Sequence, residues 1–154
     1  MQALNLPKTN LKITKQGNGY TVFDVLRKRH IHLTPEEWVR QHFVHFLLEH
    51  KGFPAARMAN EVTIGLNQTT KRCDTVCYDK EARPLVIIEY KAPHIALTQK
   101  TLDQICRYNM VLRVPYLILS NGLQHICIRV EYEKGEYRFL DDIPLWNQLC
   151  PEEK

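Results

Sequence analysis

The spacing of polar and apolar positions changes period several times along the chain, and each change predicts an element. Val39, Phe43 and Leu47 recur at four-residue steps, the line of one helix face. Thr34 suits the N-cap, Pro35 the first helical position and Glu37 the third position of a capping box, so a helix is expected from residue 35 to about residue 51, ending at Gly52. Glu36 falls on the same line as the apolar residues and is expected to point where a core residue belongs. Glu37 is expected about a quarter revolution away, where capping accounts for it.

Period-two and short apolar runs predict strands at 59–65, 72–79 and 85–90, the last two separated by a loop at 81–83. A second helix is expected over 98–112, with Leu102, Ile105, Cys106 and Asn109 on one face. Residues 115–120 read as a short buried strand stopped by Asn121-Gly122. A hairpin, 124–131 and 137–140 around Lys134-Gly135, and a short segment at Trp146 follow. The first 22 residues show no period and read as a loosely held arm with a turn at Gly17-Asn18-Gly19. Helix, three-strand meander, helix and strand make an α/β class with a mixed sheet. The expected division is one domain over 1–154, comprising an arm at 1–22, a core at 23–125 and a hairpin and tail at 126–154.

A chain of 154 residues with 44% hydrophobic content is enough for one sizeable core. No basic-then-apolar leader and no run approaching 18 apolar residues occurs, so no membrane span and a cytoplasmic location are expected. The five cysteines, an odd number lying mostly in apolar runs, fit reduced thiols. Cys73 and Cys77 lack a second pair at ligand spacing, and four residues of strand separate them by about 13 Å, so buried strand cysteine is favoured over zinc. A net charge of +4 decides little, but Arg27, Lys28, Arg29, His30 and His32 crowd one segment and Lys71 and Arg72 precede Asp74. Such clusters suit either a solvated loop or a phosphate-contacting patch.

The run Pro84-Leu85-Val86-Ile87-Ile88-Glu89-Tyr90-Lys91 carries the chemistry. An apolar strand ends in a carboxylate and an ammonium two residues apart, on one face with Ile87, and Asp74 lies in the preceding strand. Glu49-His50-Lys51 and Glu152-Glu153-Lys154 repeat the spacing without that context. The bland alternative is a surface ion pair at a strand end, worth little. Glu36 has two readings as well, a first-turn acid complementing the helix dipole or an acid aimed at a metal. His42, His45 and His50 occupy polar or intermediate helix faces and are expected to be exposed without a role.

In order and residues, Leu33-Thr34-Pro35-Glu36-Glu37-Trp38-Val39-Arg40-Gln41, Lys71-Arg72-Cys73-Asp74, Glu89-Tyr90-Lys91-Ala92-Pro93 and the QxxxY segment Gln104-Ile105-Cys106-Arg107-Tyr108 resemble the PD-(D/E)xK nucleases. Across residues 23–125 the chain resembles the N-terminal nuclease domain of type I restriction enzyme R proteins. Cys73 stands where the family motif has its proline. The resemblance implies a restriction endonuclease-like mixed β-sheet flanked by helices, an α-β-β-β-α-β core plus the C-terminal hairpin. It implies hydrolysis of DNA phosphodiester bonds with Mg²⁺, for which Mn²⁺ substitutes. Asp74, Glu89 and the Tyr90 backbone carbonyl would be the metal ligands, with Glu36 acting through a water, and Glu36, Asp74, Glu89 and Lys91 would form the catalytic set. Gln104 and Tyr108 would support the site or the DNA backbone.

No GxxxxGK[ST] phosphate loop occurs in these residues, so the expectation is either a freestanding nuclease acting on DNA or one that depends on motor or recognition subunits encoded elsewhere. The alternative is a catalytically silent nucleic-acid-binding or assembly module of the same fold. RNA is disfavoured because closely spaced stacking aromatics are missing. Whether Glu36 or Glu37 is the first-helix acid stays open at this stage.

Overall fold

A computed structural model of the chain describes residues 1–66 and 68–151, so the Glu152-Glu153-Lys154 repeat lies outside the described residues. A six-stranded sheet runs in the order β4 (Met58–Leu66), β5 (Thr69–Tyr78), β6 (Pro84–Tyr90), β7 (Tyr116–Ser120), β8 (His125–Glu131) and β9 (Glu136–Leu140). All neighbours are antiparallel except β6 and β7, which are parallel and therefore joined by a crossover helix, α2 (Gln99–Leu112). The mixed sheet predicted from the strand order is present.

Both faces of the sheet are covered. Val39, Phe43, Val44 and Leu47 of α1 (Pro35–His50) pack with Val86, Ile88 and Tyr90, and the short α3 (Trp146–Leu149) joins the same core. Leu102 and Ile105 of α2 pack with Val76, Ile87 and Leu117 on the other side. Burial on alternate faces explains why β6 reads as an uninterrupted apolar run. Cys73 and Cys77 are buried in the two different cores, as strand cysteines rather than a metal pair. Among the described residues no helix is long and apolar enough to cross a membrane.

The N-terminal stretch departs from expectation. Within the expected loose arm of residues 1–22, β1 (Ile13–Gln16) and most of β2 (Gly19–Asp24) form, and they join β3 (Arg29–His32), where no strand was expected, in an antiparallel sheet. The anticipated turn is there: Gly17, at φ +60°, opens the two-residue loop between Gln16 and Gly19. The strands escape sequence reading because β1 is exposed on both faces, so it has no apolar alternation to display.

Candidate metal and phosphodiester site

Asp74 sits where regular pairing of the large sheet breaks. The β4/β5 register passes from Asn60↔Thr75 to Val62↔Cys73, skipping Glu61 and Asp74, and Glu61 has a left-handed φ of +58°. On the other side the β5/β6 register ends at Thr75↔Ile88. Side chains take over from the missing ladder. The Tyr90 amide donates to Asp74 Oδ2 at 2.9 Å, and the Arg40 guanidinium donates to the Asp74 carbonyl at 2.7 Å.

Arg40 belongs to a buried network on the α1 side. Its Nη2 donates to Glu61 Oε1 at 2.7 Å and its Nε to Glu37 Oε2 at 3.1 Å. Glu37 also accepts from Arg27 at 2.8 Å and from Gln41 at 2.9 Å. Arg27 pairs with Asp24, whose carboxylate accepts from the Leu26 amide at 2.7 Å and from Asn60 at 2.9 Å. Burial alone would raise the Asp24 pKa, but the hydrogen bonds from Arg27 and Asn60 win and lower it. From Asn60 the chain of bonds continues through Thr75 to the Tyr90 hydroxyl, at 2.7 and 2.9 Å. The small sheet, α1, β4, β5 and β6 are thus tied around one residue.

On the opposite side the same residue faces a cleft of about 240 Å³. Glu36, Asp74, Glu89, Tyr90, Lys91, Gln104 and Tyr108, all named from the sequence, line it together with Lys71, Thr101 and Ile105. Glu89 is 8% exposed, while Glu36 is exposed at the start of α1 and Gln104 and Tyr108 are exposed one turn apart on α2. Lys91 is half-buried just past β6, its amide bonded to the Ser120 carbonyl at 2.9 Å.

The electrostatics of the cleft differ from those of the network. Burial and then the adjacent Asp74 carboxylate push the Glu89 carboxyl up from 4.5 to about 8, although the Lys71 ammonium, in contact with Glu89 Oε1, pulls the other way. Two carboxylates that close, with partial compensation, are a donor set for a hard dication, which would remove the repulsion. Asp74 and Glu89 fit Mg²⁺ in chemistry and would hold it with main-chain, water and phosphate oxygens completing the octahedron. Among the described residues no three His, Cys, Asp or Glu side chains gather into a ligand cluster, so Glu36 lines the cleft without joining the pair.

Several expectations need correction. Glu36, expected on the core line, is exposed, whereas Glu37, expected off it, is 4% exposed. Thr34 does cap, accepting from the Glu37 amide at 3.1 Å, but the Glu37 carboxylate goes to Arg27, Arg40 and Gln41 instead of completing a capping box. Buried ion pairing, not apolar periodicity, sets which first-turn acid faces inward. Arg27 is likewise engaged by Asp24 and Glu37 rather than offered to solvent or phosphate. The helix histidines have partners: His42 Nδ1 with the Trp38 carbonyl at 2.8 Å, His45 with Glu49 at 3.2 Å and His50 stacked on Phe46. Sequence reading placed Lys71 only in a basic cluster before Asp74 and gave no site role to it, Arg40 or Glu61. Lys71 falls one residue before the predicted strand start, and the three-residue step from Glu37 to Arg40 was the signal available for the latter.

A search of the curated proteins gave no match. Among solved structures, the fragment described as an HsdR subunit of a type I restriction enzyme from Vibrio vulnificus YJ016 is similar, with a TM-score of 0.50 and 18% identity. That alignment covers 77% of this chain and 25% of the other, so this chain spans a quarter of its structural relative. At such identity the likeness shows the shared fold. The model of the family "Type I restriction enzyme R protein N terminus" matches residues 35–144, a span containing every residue named for the cleft. The chain therefore belongs to the family of type I restriction enzyme R protein N termini.

Proposed function

We propose that this chain is a Mg²⁺-dependent endonuclease domain of the PD-(D/E)xK type, hydrolysing DNA phosphodiester bonds as part of a cytoplasmic restriction-modification assembly. The observation that carries the reading is the convergence of Asp74 and Glu89, from two strands, in a cleft that also holds Lys91. A bound Mg²⁺ supplies a polarised phosphate, an acidified water and stabilisation of the leaving oxygen. Asp74 and Glu89 would hold it, with the Tyr90 carbonyl as the main-chain candidate and Glu36, which lines the cleft, reaching it through a water.

Lys91, at the cleft wall, orients the attacking water and stabilises negative charge developing on phosphorus oxygens. Gln104 and Tyr108 reach the DNA backbone from α2. Recognition and ATP-driven movement come from other subunits or segments, so DNA and those partners are the assigned interactors.

The contact of Lys71 with Glu89 favours a second reading, a catalytically silent DNA-binding or assembly module whose carboxylate pair is held by a lysine. Incubation with supercoiled, linear and single-stranded DNA, with Mg²⁺ or Mn²⁺ and beside a Lys91→Ala control, separates the two. Nicking by the wild type and not by the control supports the nuclease. Equal activity in both, or DNA binding without cutting and unaffected by Asp74→Ala, supports the module.

A further inference from the structure

We propose that Lys71 is a resident counter-ion of the cleft, holding Glu89 in the metal-free protein and leaving it when a divalent cation binds. The inference rests on the metal reading above and adds a competitor that this reading lacks. Lys71 lies in the part of β5 that extends beyond the register shared with β6, so its side chain can lean across the gap between them. Its ammonium meets Glu89 Oε1 while only 16% of the side chain is exposed, and it stands 5.6 Å from the centre of the Tyr108 ring.

These contacts place one cation between a candidate ligand and the QxxxY tyrosine, inside the cleft rather than at its rim. Lys91 differs: among the described residues its ammonium has no ion pair or side-chain hydrogen bond in the structure. The two lysines therefore have separate tasks. Lys71 touches one of the two carboxylates that line the cleft, and one ammonium cannot neutralise both, so the pair stays under-compensated and open to exchange. A dication brought to the same carboxylate both competes for Oε1 and repels the ammonium. Once released, Lys71 has the Tyr108 ring and the cleft opening before it, where a phosphate would enter.

Calorimetric titration of the whole chain with Mn²⁺, with thermal melting to establish that each variant is folded, tests the inference. Lys71→Met is expected to bind Mn²⁺ about tenfold more tightly than the wild type. Lys71→Arg, which keeps the charge, is expected to bind no more tightly than the wild type. Lys51→Met, removing an ammonium that pairs with the distant Asp142, is expected to match the wild type. If Lys71→Met does not fold, Lys71→Gln replaces it with the same expectation. Unchanged or weaker binding by the neutral variant overturns the inference, as does an equal gain from Lys91→Met, which would mark a general effect of charge removal. No Mn²⁺ binding by any variant overturns the metal reading itself, and this inference with it.

Discussion

Asp74 divides two groups of charges that obey opposite rules. On the α1 side Asp24, Arg27, Glu37, Arg40 and Glu61 alternate in sign, and each carboxylate has a guanidinium partner. On the α2 side Asp74 and Glu89 crowd together, and Lys71 is in contact with Glu89 alone among the ion pairs there. The first arrangement supports a gap in the β4/β5 pairing, where the Arg40 side chain donates to the Asp74 carbonyl in place of a sheet partner. The second leaves like charges together at a cost, which is what a binding site for a dication requires. The Asp74 carbonyl accepts from Arg40 on the α1 side, and its carboxylate, which accepts from the Tyr90 amide, lines the cleft.

Mutations should separate the two sides. The largest effect belongs to Asp74→Ala, expected to reduce Mg²⁺-dependent cleavage on the order of 10³-fold or more while a cooperative melt is kept, measured by plasmid nicking and calorimetry. Arg40→Met is expected to destabilise the fold by about 3–5 kcal/mol, because Glu37 and Glu61 are left as poorly compensated carboxylates and the Asp74 carbonyl loses its donor; urea unfolding reads this directly. If Arg40→Met melts like the wild type, the distinction between scaffold and site fails.

The pH dependence follows from Glu89. Its pKa is raised on folding, from 4.5 to about 8, so its contribution to stability is fully present below pH 4.5 and is lost as pH rises through 8. Metal-free melting temperatures should fall across that window, and Glu89→Gln should flatten the trend. Metal affinity has the opposite sign, strengthening up to about pH 8 as the bound proton becomes easier to remove. The smallest effect is expected from Arg72→Ala: its side chain is 71% exposed and pairs with Glu61 at the surface, so unfolding should shift by about 1 kcal/mol or less.

The sequence displayed the elements that bury a continuous apolar face. Thr34 and Pro35 marked the start of α1, the run to Tyr90 marked β6, and Leu102, Ile105 and Asn109 marked the inner face of α2. Glu89 and Lys91 stood out because they end such a strand, with Asp74 in the strand before it, whereas Gln104 and Tyr108 entered through the resemblance to the family's QxxxY segment. What stayed hidden depends on partners distant in the chain. Arg40 finds Glu61 and Asp74, Lys71 finds Glu89, and β1 to β3 find one another, none through an apolar period. Glu36 and Glu37 were exchanged in burial for the same reason, since helix periodicity carries no information about Arg27.

The most direct measurement is anomalous diffraction from crystals soaked in Mn²⁺ with Asp74 and Glu89 intact. A peak is expected within ligand distance of both carboxylates, on the α2 side of the sheet. A map with no peak between them, or with Mn²⁺ bound only elsewhere, would contradict a metal site there.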